Sequence, residues 1–494
     1  MSANTLEQAG VEACEEFAYP SRGDAEAQPQ GTRPRIVAVL PRGEVIRNFI
    51  YTGAFDQVAQ DAEVTLLSVI PNDELRGLLC ARYSNLLPLR EIPERWMVGA
   101  VRDFLDMAHG RWLWSEAAKE RWRLRDLEAS TPGLRVKRWA KKLACYPFAN
   151  RTGVTLLSKM ERASSRWLRS TDDYLRLFQK LKPSLVFNGS HIHSRVAVQA
   201  VQAAQWLGIP TATFIFSWDN LTSQGRVIPL YDYYLVWNEA IKKQLLQIYN
   251  SIKPEQVFIT GTPQFDFHFQ PEFYWTREEF CARVGADLAR PIVLYSTGMA
   301  NHMPGEPSIV EGIADMLGEM KAEGAPQLLV RVYPKDRTGR FEELKRSRPD
   351  ILFPEVPWEP EWLTPKPEDS SLLVNTLRHA AVGINVASTI SLELCMFDKP
   401  IINVGYNPPG VDPHELDYMR YYEFDHYRPV VQSGAVMVAG SANEMREMLS
   451  RALTEPRIGK KQRQDLIRKM FGGYLDGCSS RRVAECLINL AERS

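Results

Sequence analysis

The chain has 494 residues, 45% hydrophobic and 24% charged, with 60 basic and 60 acidic side chains. That length exceeds what one core organises and points to two domains, while the balanced charge gives no global field to draw nucleic acid. Seven scattered cysteines without a CxxC pair argue against a zinc ribbon or a disulfide framework and fit a reducing cytoplasm; no apolar run reaches the roughly 20 residues of a spanning helix.

Residues 1–33 are polar and read as a flexible leader. The first buried strand is PRIVAVL (34–40), followed by the loop PRGE (41–44) and the strands EVTLLSV (63–69) and NLLPL (85–89). Strands alternating with helical stretches mark a doubly wound α/β domain. Over 94–181 the pattern turns helical, basic and aromatic, with Trp112, Trp114, Trp122 and Trp139 among Arg121, Arg123, Arg125, Arg135, Lys137, Arg138, Lys141 and Lys142. Two readings stand: a helical subdomain with tryptophans in its core, or a surface that lies on anionic lipid at the inner face of a membrane.

The strand rhythm resumes at SLVFNG (184–189), TATFIF (211–216), YDYYLVWN (231–238) and VFITGTP (257–263), so the first domain is expected over 34–270. A second domain, 271–475, repeats it with PIVLYSTG (291–298), QLLVRVYP (327–334), DILFPEV (350–356), AVGINVA (381–387) and PIINVGY (400–406). A last helix within 476–494 is expected to pack back on the first domain. Two doubly wound domains facing each other across a cleft account for this order, with ligands beyond the carboxyl ends of the strands.

The chemistry concentrates at 382–407, a strand, a turn, a helix and a strand. Ser388 and Thr389 place hydroxyls and backbone N–H groups at a helix start, where the peptide dipoles favour a phosphate. Glu393 lies one helical turn deeper on the same side, where a carboxylate suits the two hydroxyls of a ribose. An ordinary capped helix with a solvent-facing glutamate is the alternative. His302, in the glycine-bearing loop STGMANHMPG, is placed to approach the phosphates.

Three motifs carry a resemblance over 210–410. GTPQFD (261–266), LLVRVYP (328–334) and GINVASTISLE (383–393) resemble the domain junction, the strand ending in His-Pro and the phosphate-binding turn of GT-B fold glycosyltransferases. The similarity is to bacterial surface-polysaccharide transferases and the CDP-glycerol glycerophosphotransferase group, although Gln264 and Tyr333 replace that family's usual Arg and His and the turn lacks its Asp-Tyr pair. The resemblance implies two Rossmann-like domains and a nucleotide-sugar donor, with the diphosphate on Ser388 and Thr389 and with Arg331 and Lys335 beside it. It further implies Trp358 at the base, no bound metal, and no cofactor beyond the donor. Asn385 stands where retaining members often carry a second glutamate, which leaves stereochemistry open.

For the acceptor, a glycan or a lipid-linked molecule, an inverting transfer needs a general base. His191 and His193 of NGSHIHSR follow a buried strand and are the candidates, a histidine being an effective base near neutral pH; Glu44 and Asn220 lie on comparable loops. In SWDNL, Trp218 and Asp219 with Asn220 suit stacking on and hydrogen bonding to a sugar, or form a capping turn. The expected function is glycosyl transfer in surface polysaccharide or glycoconjugate synthesis. A CDP-glycerol-type transferase, an enzyme like UDP-N-acetylglucosamine epimerase and a non-catalytic binding module are the alternatives.

Overall fold

A computed structural model describes residues 33–493 except 70–72, 84, 94, 169–170, 193–194, 322–323, 361–362, 413 and 415. All but the last residue of the expected leader lies outside them. The chain divides into two units, one running to Asp266 and taking in Tyr474–Ser494, the other Phe267–Gly473.

The first unit is built on seven parallel strands, β1 (Arg35–Leu40), β2 (Glu63–Ser68), β3 (Asn85–Pro88), β4 (Leu185–Asn188), β5 (Thr211–Phe214), β6 (Tyr233–Val236) and β7 (Val257–Ile259). Their near-continuous apolar runs are what a sheet covered on both faces requires. The order is β3-β2-β1-β4-β5-β6-β7. Strand progression therefore reverses between β1 and β4, and the loops leaving those two strands part to form a crevice. Gly189 follows β4 because a Cβ there would stand 2.4 Å from Val45 Cγ1.

Between β3 and β4 the described residues form five α-helices, α1 (Trp96–Leu113), α2 (Glu116–Leu127), α3 (Pro132–Cys145), α4 (Arg151–Leu168) and α5 (Asp172–Leu181). Leu105, Met107, Ala108, Trp122, Cys145, Val154 and Leu157 form a core of their own, with Trp112 and Trp114 packed against it. Three of the four tryptophans noted in the sequence are thus core residues, but Trp139 is 65% exposed. Among the described residues no helix is long and apolar enough to cross a membrane.

The C-terminal helix, Ser479–Glu492, packs on the helix Ala54–Asp61 and on β4. Asp266, the last residue of GTPQFD, caps it by accepting the Ser479 and Ser480 N–H groups at 3.1 and 2.7 Å. Burial pushes the Asp266 carboxyl up to about 6, against the opposing pull of those donors.

The second unit holds five parallel strands, β8 (Ile292–Ser296), β9 (Gln327–Arg331), β12 (Val382–Asn385), β13 (Ile401–Val404) and β14 (Met437–Ala439), and a small antiparallel pair, β10 (Trp358–Glu359) and β11 (Thr364–Pro365). Their order, β14-β13-β12-β8-β9, puts the reversal between β8 and β12. No strand forms over 350–356. Only Leu352 bridges to Leu329, because Pro354 has no N–H with which to continue a ladder. β14 was not expected, its three residues being too short for a periodic signal. The expected α/β class, with two doubly wound sheets and a helical insertion in the first, is the one observed.

Candidate functional site

The turn after β12 rests on a buried polar network. Asn385 Oδ1 accepts from Ser391 Oγ at 3.0 Å, Asn403 Nδ2 at 3.1 Å and the Ser388 N–H at 3.3 Å. The Tyr427 hydroxyl donates to Asn403 Oδ1 at 2.8 Å and lies 2.8 Å from Ser391 Oγ. Asn385, Ser391, Asn403 and Tyr427 are all fully buried, where hydrogen bonds strengthened by the low dielectric rigidify what stands on them, while Asn385 Nδ2 has no partner among the described residues. Ala387 adopts φ 37°, a left-handed conformation that costs a non-glycine residue on the order of 1 kcal/mol and persists only where the surroundings impose it.

The turn differs from the expected row of free amides. The N-cap of α8 (Ile390–Met396) is Thr389 rather than Ser388, and its side chain makes no capping bond. The Ser388 N–H is taken by Asn385, and Ser388 Oγ accepts the Ile390 N–H at 3.3 Å. What Ser388 has left to offer a ligand is its hydroxyl hydrogen.

Glu393 is not the solvent-facing carboxylate of a plain capped helix. Its side chain is 10% exposed and its Oε2 lies 2.9 Å from Nε2 of His268, itself 1% exposed. The His268 ring packs at 5.3 Å on Phe397, so imidazole and carboxylate are held together from two sides. Oε1 of Glu393 has no protein partner among the described residues and remains to accept from a ligand.

Arg331 ends β9, buried. Its Nη2 is committed to Asp369 Oδ1 at 2.7 Å, while Nη1 is buried with no acceptor among the described residues. The other oxygen of Asp369, on α7 (Pro367–His379), accepts the Trp358 indole N–H at 2.7 Å. Arg331 is therefore first a carboxylate partner, because a buried guanidinium needs a counter-charge, and the half-buried Trp358 is anchored by its indole nitrogen. Lys335 lies half-buried in the turn after β9.

The loop after β8 is pinned at its root. Glu306, fully buried at the start of α6 (Glu306–Glu319), accepts the Gly298 N–H on both oxygens at 3.0 and 2.9 Å and pairs with Arg340 Nη2 at 2.7 Å. Burial raises the Glu306 carboxyl while Gly298 and Arg340 pull it down. His302 packs against Tyr421, whose hydroxyl donates to its carbonyl at 3.1 Å. Because β8 lies between β12 and β9, the carboxyl ends of three neighbouring strands carry the loop with His302, the turn with Ser388 and Thr389, and Arg331.

In the first unit His191 follows β4 and Glu44 follows β1, so both border that sheet's crevice. His191 Nδ1 lies 3.1 Å from the Phe214 carbonyl. A carbonyl only accepts, so Nδ1 carries the proton and Nε2 the lone pair. The Glu44 carboxylate is held by Arg42 at 2.9 and 2.7 Å. His193 lies outside the described residues. Asp219 accepts the hydroxyls of Ser217 and Ser223 within its own turn. Trp218 is 7% exposed and Asn220 Oδ1 accepts the Ser217 N–H, so the turn is closed on itself with its indole buried.

His268, Asn403, Tyr427 and Asp369 escaped notice in the sequence, and Asn385 was noted only for the glutamate it replaces. His268 alone left a trace, as the polar residue in the aromatic run FDFHF directly after GTPQFD.

No protein-family model matches the chain, and none of the curated proteins searched matches it. Solved structures do. UDP-GlcNAc 2-epimerase from Neisseria meningitidis bound to UDP-GlcNAc aligns at TM-score 0.51 and 12% identity, over 92% of this chain and 100% of that one. A putative UDP-N-acetylglucosamine 2-epimerase from Listeria monocytogenes aligns at TM-score 0.53 and 11% identity, over 94% and 98%. The S. aureus MnaA–UDP co-structure aligns at TM-score 0.52 and 11% identity, over 92% and 97%. The fold is GT-B. Within it the β12 turn, Glu393 and Arg331 belong to the C-terminal sheet, and His191 and Glu44 to the N-terminal one.

Proposed function

We propose that the chain is a nucleotide-sugar enzyme that transfers a sugar from a nucleoside-diphosphate donor to a glycan or lipid-linked acceptor. The observation that carries this reading is the arrangement at the reversal of the second sheet, where open α/β sheets take their ligands. A turn braced by four fully buried polar side chains presents Ser388 and Thr389, and Glu393, one turn deeper, keeps one carboxylate oxygen available while His268 holds the other.

In this reading the Ser388 and Thr389 hydroxyls donate to the donor diphosphate, and Nη1 of Arg331 supplies a fixed positive charge as the leaving group departs. Glu393 Oε1 accepts from the ribose hydroxyls. His191, protonated on Nδ1 by its bond to the Phe214 carbonyl, takes the acceptor proton on Nε2. Uridine is the first nucleotide to test, since two of the aligned structures hold UDP-GlcNAc or UDP.

Calorimetric titration with UDP, CDP, GDP and ADP checks the donor half. One diphosphate is expected to bind, with Ser388→Ala and Glu393→Ala each weakening it about tenfold or more. Equal affinity of wild type and both variants for every diphosphate would defeat the proposal.

The aligned structures favour a second reading, epimerisation at C2 of UDP-N-acetylglucosamine, because they share the fold over nearly the whole chain. Incubation with UDP-N-acetylglucosamine separates the two: the epimer with nucleotide retained marks an epimerase, and acceptor-dependent release of UDP marks a transferase.

A further inference from the structure

We propose that α3 docks the protein on an anionic lipid surface, apolar face down. The helix has 14 residues, of which only Cys145 is buried. Val136, Trp139 and Leu143 recur at helical spacing, and Tyr146 continues their line just past its end. They are 66, 65, 58 and 50% exposed. A helix on a globular surface normally turns this stripe inward. Here it is the polar face that is tied down.

Arg138 binds Asp126 Oδ1 of α2 at 2.9 Å, and Lys142 pairs with the same carboxylate. Both cations lie over the Trp122 ring, at 5.2 and 5.3 Å. Arg135 donates to the Ala129 carbonyl at 3.1 Å. These contacts fix the helix with its hydrophobic stripe facing solvent, so the exposure follows from the fold.

The charge around the stripe identifies the occupant. Between Glu128 and Glu161 there is no acidic residue, while Arg135, Lys137, Arg138, Lys141, Lys142, Arg151 and Lys159 fall in that interval. Lys137 and Lys141 flank the stripe and have no acceptor among the described residues. α4 repeats the pattern: Leu156, Met160 and Trp167 are 48, 48 and 80% exposed on one face, beside Lys159, Arg162 and Arg166. Apolar side chains bordered by cations, with an indole among them, match an acyl-chain boundary beneath anionic headgroups. A second copy of this chain would bring the same cations against themselves.

The inference is independent of what binds at the β12 turn. It is tested with the full chain and vesicles of phosphatidylcholine alone or mixed with phosphatidylglycerol, by flotation at rising salt. Binding is expected only on the anionic vesicles and should weaken as salt screens the cations. Joint replacement Val136→Ser, Trp139→Ser and Leu143→Ser is expected to lower it on the order of tenfold or more, and Lys137→Gln with Lys141→Gln roughly 30-fold. All five positions are exposed, and unchanged melting midpoints confirm that the variants fold. Absence of binding, equal binding to both vesicle types, or full binding by the serine variant would overturn the proposal. So would a dimer in light scattering that the serine variant dissociates, since the stripe would then be a subunit interface.

Discussion

Glu393 and His268 should act on the nucleotide as one unit. The carboxylate is nearly buried and its Oε2 is fixed at 2.9 Å by an imidazole that is 1% exposed, so only Oε1 is left to meet a ribose. Hydrogen bonds to a charged acceptor contribute about 1.5–3 kcal/mol, and Glu393→Ala is expected to weaken UDP binding roughly 10–150-fold. His268→Ala leaves the carboxylate in place but frees its rotamer. The loss of that one orienting bond, about 0.5–1.5 kcal/mol, corresponds to roughly 2–12-fold in Kd. Once Glu393 is alanine there is nothing for His268 to orient, so adding His268→Ala to Glu393→Ala should change nothing further. The coupling energy of the cycle then equals the whole single effect of His268→Ala. Isothermal titration with UDP on the four proteins measures it, and His268→Gln, which keeps a donor, should recover part of the loss. If the two effects add, or if Glu393→Ala binds UDP like wild type, the carboxylate is structural and the ribose assignment fails.

Other consequences are as specific. Tyr427→Phe strips Asn403 Oδ1 of its 2.8 Å donor inside a fully buried network and should destabilise the fold by about 1–3 kcal/mol, read as a lowered denaturant midpoint; an unchanged midpoint would mean the network is not bracing the turn. His191→Ala should cut turnover on the order of 100-fold or more with UDP affinity unchanged, and a parallel loss of affinity would count against a base in the first unit. Gly189→Ala forces a Cβ to 2.4 Å from Val45 Cγ1 and should cost about 1–3 kcal/mol; adding Val45→Ala should recover part of it, and no recovery would locate the strain elsewhere. Asp266 gives a pH signature. Its carboxyl stands at about 6 in place of 3.8, so the folded chain keeps a proton that the unfolded chain releases. That stabilisation is present in full below about pH 4 and is lost as pH rises through 6, a fall of ~3 kcal/mol. Asp266→Asn should flatten the slope of unfolding free energy between those values, and identical slopes would show that the carboxyl is not raised.

Much of the frame was legible in the chain because it is written locally. Buried parallel strands are continuous apolar runs, helices repeat at 3.6, and a hydroxyl pair before Ile390 marks a helix start; none of this needs distant residues. β14 and the lost strand at 350–356 mark the limit of that signal, where three residues or an interrupting Pro354 leave the outcome to neighbouring strands. The position of the Ser388–Thr389 turn was readable for the same reason, since it follows from strand, turn and helix in succession.

What the amino-acid order determined alone was therefore the α/β class, the seven strands of the first sheet and the place of the Ser388–Thr389 turn. Tertiary structure decided which partners those groups meet. His268 reaches Glu393 from 125 residues away and Asp266 caps a helix 213 residues on, while Arg331 spends one nitrogen on Asp369. It also decided which of the insertion's tryptophans face inward and which, Trp96, Trp139 and Trp167, face outward. Burial and hydrogen-bond pairing are properties of surfaces brought together in space. An isolated Glu, Arg or Trp has the same chemistry in either setting until the chain closes around it.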